Sequence, residues 1–260
     1  MHVRNLSAIA CLLLASGSAF AQQKATPLTT VSMFRITPEK MGPFMDIMKL
    51  FPPALDKLIA SGAVLAYGVD SDIVHLEGPN VAFWITSPDY AGVDAAGKAV
   101  KAVIAANPEK MKAAWGLTSF GDHRDLLVRS LVSNHGKIPA GALPISDFYQ
   151  MKVKPGRGAT ATMLFNHLQK PALDKLVADG TIYGYSLDVE AVHTQAPGTR
   201  WLIISLPDLG AKSKVLAAYQ AAMAKLSEIE REAMQLVSED TFDQKDHRDM
   251  LSEALIFKAK

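Results

Sequence analysis

Histidine flanked by aspartate and arginine occurs twice in this chain, as Asp122-His123-Arg124-Asp125 and as Asp246-His247-Arg248-Asp249. An imidazole can take or give a proton near neutral pH, and a carboxylate beside it can orient the ring. The same four residue types can also lock a turn. Aspartate accepts from nearby backbone N–H groups, and arginine pairs with acids across a junction. Retention of all four in both copies favours the turn, and we read the eight residues as a structural motif. A further histidine pair, His75 and His193, stands at matching places in the two halves and could bind a ligand. No H-x-x-x-H, H-E-x-x-H or aspartate-rich calcium loop is present in the sequence, so no metal site is expected. There is no G-x-S-x-G elbow and no phosphate-binding loop. Lys154-Pro155-Gly156-Arg157-Gly158 is glycine-rich but reads as a turn.

The histidine motifs belong to a longer repeat. Residues 53–75, PALDKLIASGAVLAYGVDSDIVH, match 171–193, PALDKLVADGTIYGYSLDVEAVH, at twelve of 23 positions without a gap. Ile85-Thr86-Ser87-Pro88-Asp89 then answers Ile204-Ser205-Leu206-Pro207-Asp208. Upstream, Phe34-Arg35-Ile36-Thr37-Pro38 answers Met151-Lys152-Val153-Lys154-Pro155. The period is domain-sized, far longer than that of solenoid repeats. It divides the chain into units at 29–133 and 146–258, with a Gly- and Pro-punctuated linker at 134–145.

Each unit reads as the same series of elements. In the first, Val31–Ile36 is a β-type run. Residues 43–61 are helical, broken at Pro52-Pro53 and ended by Gly62. Ala63–Asp70 and Asn80–Thr86 are strands, 91–115 is an alanine-rich helix interrupted at Asn107-Pro108, and Asp125–Val132 is a last strand. The second unit repeats this order, with 209–237 as its long helix. The order is β-α-β-β-α-β, the ferredoxin-like split unit. Two such units in tandem, covering nearly all of the chain that follows the expected signal segment, resemble the dimeric α/β-barrel superfamily of antibiotic-biosynthesis-type monooxygenases and their relatives. The resemblance implies an α+β fold in which two ferredoxin-like units of one chain form a pseudo-dimeric α/β barrel. It also implies an alternative function, a cofactor-independent or haem-associated monooxygenase-like enzyme, although no residue matches an assignable catalytic signature.

Strand alternation sharpens the expectation. Phe34 and Ile36, with partners Met151 and Val153, suit the helix side of the first strands. Arg35 and Lys152 then face the space between the two sheets. A charge buried there needs a partner. Arg129 and its repeat partner Glu253 are available, so Arg35, Lys152, Arg129 and Glu253 are expected to form a polar cluster that could meet a ligand. Tyr67 and Tyr185, paired in the second strands, are candidate ligand contacts as well as core residues. Trp84 and Trp201 lie in the third strands at non-equivalent positions.

The ends and the charge limit the function classes. Residues 1–21 read as a secretory signal peptide: a basic start, a short apolar run and an A-x-A site ending at Ala21. The single cysteine, Cys11, lies inside that run, so the mature chain has no thiol chemistry. Cleavage removes Arg4 and no acid, bringing basic and acidic residues into balance at 26 each. No basic stripe offers a nucleic-acid footprint, and no second apolar run reaches membrane length. The leading expectation is a secreted or periplasmic binding protein that takes a small organic ligand in a polar cavity between its halves. No cofactor is expected, haem being allowed only through the resemblance. No nucleic acid or membrane insertion is expected, and homodimerisation is open. A third reading is a structural or interaction module with a filled core.

Overall fold

The computed structural model describes residues 26–74, 78–118, 123–192 and 198–260. Signal residues 1–21, His75, His193 and Asp122 therefore lie outside the described residues. The elements run β1 (Leu28–Phe34), α1 (Pro38–Met48), α2 (Pro52–Ser61), β2 (Ala66–Asp72), β3 (Val81–Ser87), α3 (Tyr90–Ala106), α4 (Pro108–Trp115) and β4 (Arg124–His135). They continue with β5 (Ile145–Val153), α5 (Gly158–Leu164), a π-helical turn (Phe165–Gln169), α6 (Lys170–Ala178), β6 (Gly184–Glu190) and β7 (Thr199–Leu206). Last come α7 (Leu209–Met223), α8 (Glu228–Thr241) and β8 (Phe242–Ala259). The eight strands close into an antiparallel barrel of order β1-β3-β2-β8-β5-β7-β6-β4. Within it, β4-β1-β3-β2 and β8-β5-β7-β6 are two arcs with the same internal order. The seams between arcs are β2–β8 and β4–β6, each interrupted by a bulge, after Val69 on one and after Ser130 on the other. A bulge bends and twists its strand, which helps an open arc to close.

Local chemistry explains the element ends. Asp89 caps α3 by accepting from Gly92 N at 2.8 Å. Asp208, its repeat partner, caps α7 by accepting from Ala211 N at 3.0 Å. Each carboxylate satisfies a backbone donor that the first helical turn leaves open. Gly62 ends α2 in the left-handed region, with φ at 80°. Glycine takes that conformation without the clash a side chain would bring. Pro108 opens α4, as the interruption at Asn107-Pro108 implies. The expected helix 209–237 is two helices, because Ser227 starts α8 with a capping box to Glu230, a reciprocal pair that fixes a helix start.

The helices cover the outside of the barrel, where two apolar cores lie. Phe34, Tyr67, Val69, Phe83 and Ile85 pack against α1–α3 in the first half. Tyr185, Leu187, Leu202, Ile204 and Val215 are among their counterparts in the second. The opposite strand faces line the lumen, which side chains fill. Trp84 lies against Phe257, ring centroids 6.1 Å apart, and Trp201 donates to Gln150 Oε1 at 3.2 Å. A Cβ on Gly68 would come within 2.6 Å of the Trp84 ring. Glycine there lets the indole lie flat on the backbone.

Candidate functional site

The four expected lumen charges do not meet. β1 ends at Phe34, so alternation no longer governs Arg35, which is exposed beyond the strand. Arg129 pairs in register with Leu28 and Val189 on the outer face and is exposed. Glu253 lies between Ser252 and Ala254, both buried toward the lumen, and so points outward into solvent. Only Lys152 keeps the inner side, near the strand end, where its ammonium meets Asp246 at 3.1 Å. The four residues therefore form no polar cluster between the halves.

The paired tyrosines also face the helices. Tyr67 donates to Asp56 Oδ1 at 2.8 Å and Tyr185 to Asp174 Oδ1 at 2.7 Å. Both aspartates belong to the PALDKL repeat, so the repeat ties a helix to a strand through a buried phenol. Burial, first, and the neighbouring carboxylate push both phenols up. These are core positions; neither phenol lines the cavity described below, although the Tyr185 ring packs on Phe165 in its wall, centroids 5.9 Å apart. The two histidine motifs have different surroundings. His123 Nε2 lies 3.1 Å from Asp125 Oδ2, and His247 Nε2 lies 2.9 Å from Asp249 Oδ1. In the first half Ser32 donates to Asp125 at 2.6 Å, and the His123 ring stacks on Phe34 at 4.8 Å. There the motif is part of the packed wall. Arg124 and Arg248 are exposed.

His247, by contrast, lines a cavity of about 220 Å³ on the outer face of the second half. The apolar wall comes from Met151, Leu164, Phe165, Leu168, Met234 and Phe242; Arg200, Gln169, Ser238 and Asp243 supply polar groups. Arg200 is 8 % exposed. Its guanidinium donates to Thr162 Oγ1 at 2.9 Å and to the Gly158 carbonyl at 2.8 Å. Both acceptors are neutral, and burial pulls the guanidinium down from its ordinary value. An apolar pocket holding one desolvated cation is suited to an organic molecule with one anionic group.

The repeat shows why this half is hollow at a place that the first half fills. With the upstream blocks in register, Phe34, Met41 and Phe44 correspond to Met151, Gly158 and Ala161, and the third strands set Val81 against Arg200. In the first half Phe34 meets Phe44 at 5.5 Å and fills the space. In the second half Gly158 leaves room for Arg200, whose Nη2 would lie 3.2 Å from an added Cβ. Between Pro38 and Pro53 there are fourteen residues, but one more separates Pro155 from Pro171. That extra residue coincides with the π-helical turn, three of whose residues line the cavity. Such turns often mark functional sites. Nothing in the residue type of Arg200 singles it out in the sequence. The available signal is a cation standing opposite a core valine in the repeat.

A buried network adjoins this half. Asp147 is fully buried, and Lys212 Nζ reaches its two oxygens at 2.6 and 2.7 Å. Tyr149 donates to the same carboxylate at 2.7 Å. The repeat partners of Asp147, Lys212 and Tyr149 are Thr30, Val93 and Ser32, so the ion pair is peculiar to the half with the cavity.

No family model and no curated protein sequence matches the chain. Solved structures do. A candidate monooxygenase from Fusobacterium nucleatum superposes with a TM-score of 0.63 at 12 % identity, over 91 % of this chain and 95 % of that one. A candidate monooxygenase from Lactobacillus acidophilus gives 0.61 at 10 %, over 90 % and 96 %. The chain has the dimeric α/β-barrel fold. At these identities the likeness concerns the fold, and function rests on the site. Haem fits this cavity poorly. The volume, about 220 Å³, is smaller than that of common ligand pockets. Among the described residues no group of three potential metal ligands occurs, and no helix is long and apolar enough to cross a membrane.

Proposed function

We propose that the protein is a small-molecule enzyme of the oxygenase type acting without a cofactor on an acidic, largely apolar organic substrate. One observation carries this reading: desolvated Arg200 and His247, the latter paired with Asp249 outside the cavity lining, face the same largely apolar cavity. His247 takes a proton from an activated methylene, and Asp249 orients the ring and balances its charge. Arg200 holds the resulting enolate oxygen. The electron-rich anion then reduces dioxygen: the methylene becomes a carbonyl, one oxygen atom stays in the product and the other leaves as water.

Oxygen uptake with cyclic 1,3-diketones and hydroxylated anthrones tests the proposal. Saturable uptake that disappears in His247→Ala and Arg200→Met supports it. Quenching of intrinsic fluorescence without oxygen uptake would instead leave a binding protein. That second reading draws on the exposure of the His247 and Asp249 side chains, 47 % and 55 %, which leaves the candidate base wet.

Two further expectations belong with this proposal. Export after cleavage at Ala21 rests on the sequence of residues 1–21. Origin of 29–133 and 146–258 by internal duplication, with 134–145 between them, is supported by the equal strand order of the two arcs. β4 itself runs through His135.

A further inference from the structure

Two acids sit in the lumen with nothing on one oxygen. Asp70, on β2, and Asp188, on β6, are repeat partners, 5 % and 3 % exposed. Oδ1 of each is buried without a hydrogen-bond partner. Each also lies beside a bulge at a seam between the arcs. Asp70 is the first residue after the register shift on β2–β8, opposite Ala254; Asp188 is opposite Ser130, where β4–β6 shifts. Ser252 Oγ, on the lumen face of β8, is likewise unpartnered. Seams are where a closed barrel made of two arcs can part while each helix-covered core stays whole.

We propose that protons lock the barrel: Asp70 and Asp188 are carboxylic acids in the closed state, and losing their protons loosens the β2–β8 and β4–β6 seams. An ionised carboxylate with a buried empty oxygen is costly, whereas the neutral acid loses far less on desolvation. The surroundings agree. Asp70 faces Asp72 on its own strand, Ala82 and Trp84 on β3, and Ser252 and Ala254 on β8. Asp188 faces Ser186 and Glu190 on β6, Ser130 on β4 and Trp201 on β7. Among the described residues, the basic and titratable groups on the same side of the sheet include Lys152, engaged by Asp246, the exposed Arg124 and Arg248, and His135, opposite Gly184 at the far end of the β4–β6 seam. Burial, helped by the charge of Asp72 and opposed by the Trp84 indole, pushes Asp70 up to about 7. Burial pushes Asp188 up to about 6 against hydrogen bonds from Ser130 and Ser186.

Hydrogen exchange of the full chain, read by mass spectrometry at pH 5.5 and pH 8 and corrected for intrinsic exchange, tests the lock. Peptides covering 66–72, 128–134 and 252–257 should exchange at least tenfold faster at pH 8, with α2 and α6 unchanged. Asp70→Asn with Asp188→Asn, which mimics the protonated acids, should abolish the difference. Equal protection at both pH values would overturn the proposal. So would a double variant that opens at pH 8 while the parent stays closed. Should that variant fail to fold, infrared spectra of the parent decide. The protonated-carboxyl stretch must be present at pH 5.5 and weaken by pH 8, and its absence at pH 5.5 refutes the lock.

Discussion

At the scale of residues, single buried charges divide the two halves. Arg200 is held in place by neutral oxygens, so its charge is available to a ligand. Arg200→Met should weaken binding of a small aromatic carboxylate by about ten- to a hundredfold, the loss of one charged hydrogen bond, with little effect on a neutral analogue of the same shape. Isothermal titration of the two ligands separates the cases. Lys212 has the opposite role, since its charge is spent on Asp147. Lys212→Met leaves that fully buried carboxylate with the Tyr149 hydroxyl but no counter-charge and should cost roughly 3–5 kcal/mol. Adding Asp147→Leu should restore most of the loss, as urea denaturation will register. Such positions are partly legible in the sequence. The repeat pairs the tyrosines but hides their direction, because the phenol's partner, Asp56 or Asp174, lies on a helix rather than across the lumen. Strand alternation misplaces Arg35 because β1 stops one residue before it.

At the scale of elements, the π-helical turn and the short α5 shape the cavity. A π-turn holds one residue more than an α-helix needs. Removing exposed His167 should let Phe165–Gln169 wind as α-helix, bring Phe165 and Leu168 across the pocket, and abolish ligand binding. Thermal stability should hold or rise, since a helical hydrogen-bond pattern is regained. A melting curve and a binding titration on the same preparation check both statements. The helices of this half are legible through PALDKL and the Pro-Asp caps, whose chemistry is local. The π-turn is not, since it shows only as a change of one residue in the repeat spacing. The break before α8 is written in the capping-box spacing of Ser227 and Glu230, but the alanine-rich run ahead of it masks the signal.

At the scale of the whole molecule, the repeat leads to the barrel because its two arcs carry the same strand order. The same reasoning places the site in the lumen, but Trp84, Trp201 and Phe257 occupy that space, and the cavity opens outside one half instead. The lumen acids make global stability depend on pH in a definite direction. Their folded-state values are raised to about 7 and about 6, above roughly 4 in an unfolded chain. Between these limits the two acids bind more protons in the folded protein than in the unfolded one, so their contribution to stability is full below about pH 4 and is lost as pH rises through about 6 to 7. Denaturant midpoints from pH 4.5 to 8 should decline for the parent and flatten in Asp70→Asn with Asp188→Asn. The central claim is that one half of a nearly symmetric barrel has been hollowed to hold an organic anion. Methyl NMR of the methionines during titration with 1-naphthoate tests it most directly. The account predicts saturable shifts of Met151 and Met234 with Met41 and Met111 unmoved. Shifts confined to the first half, or none at saturating ligand, would contradict it.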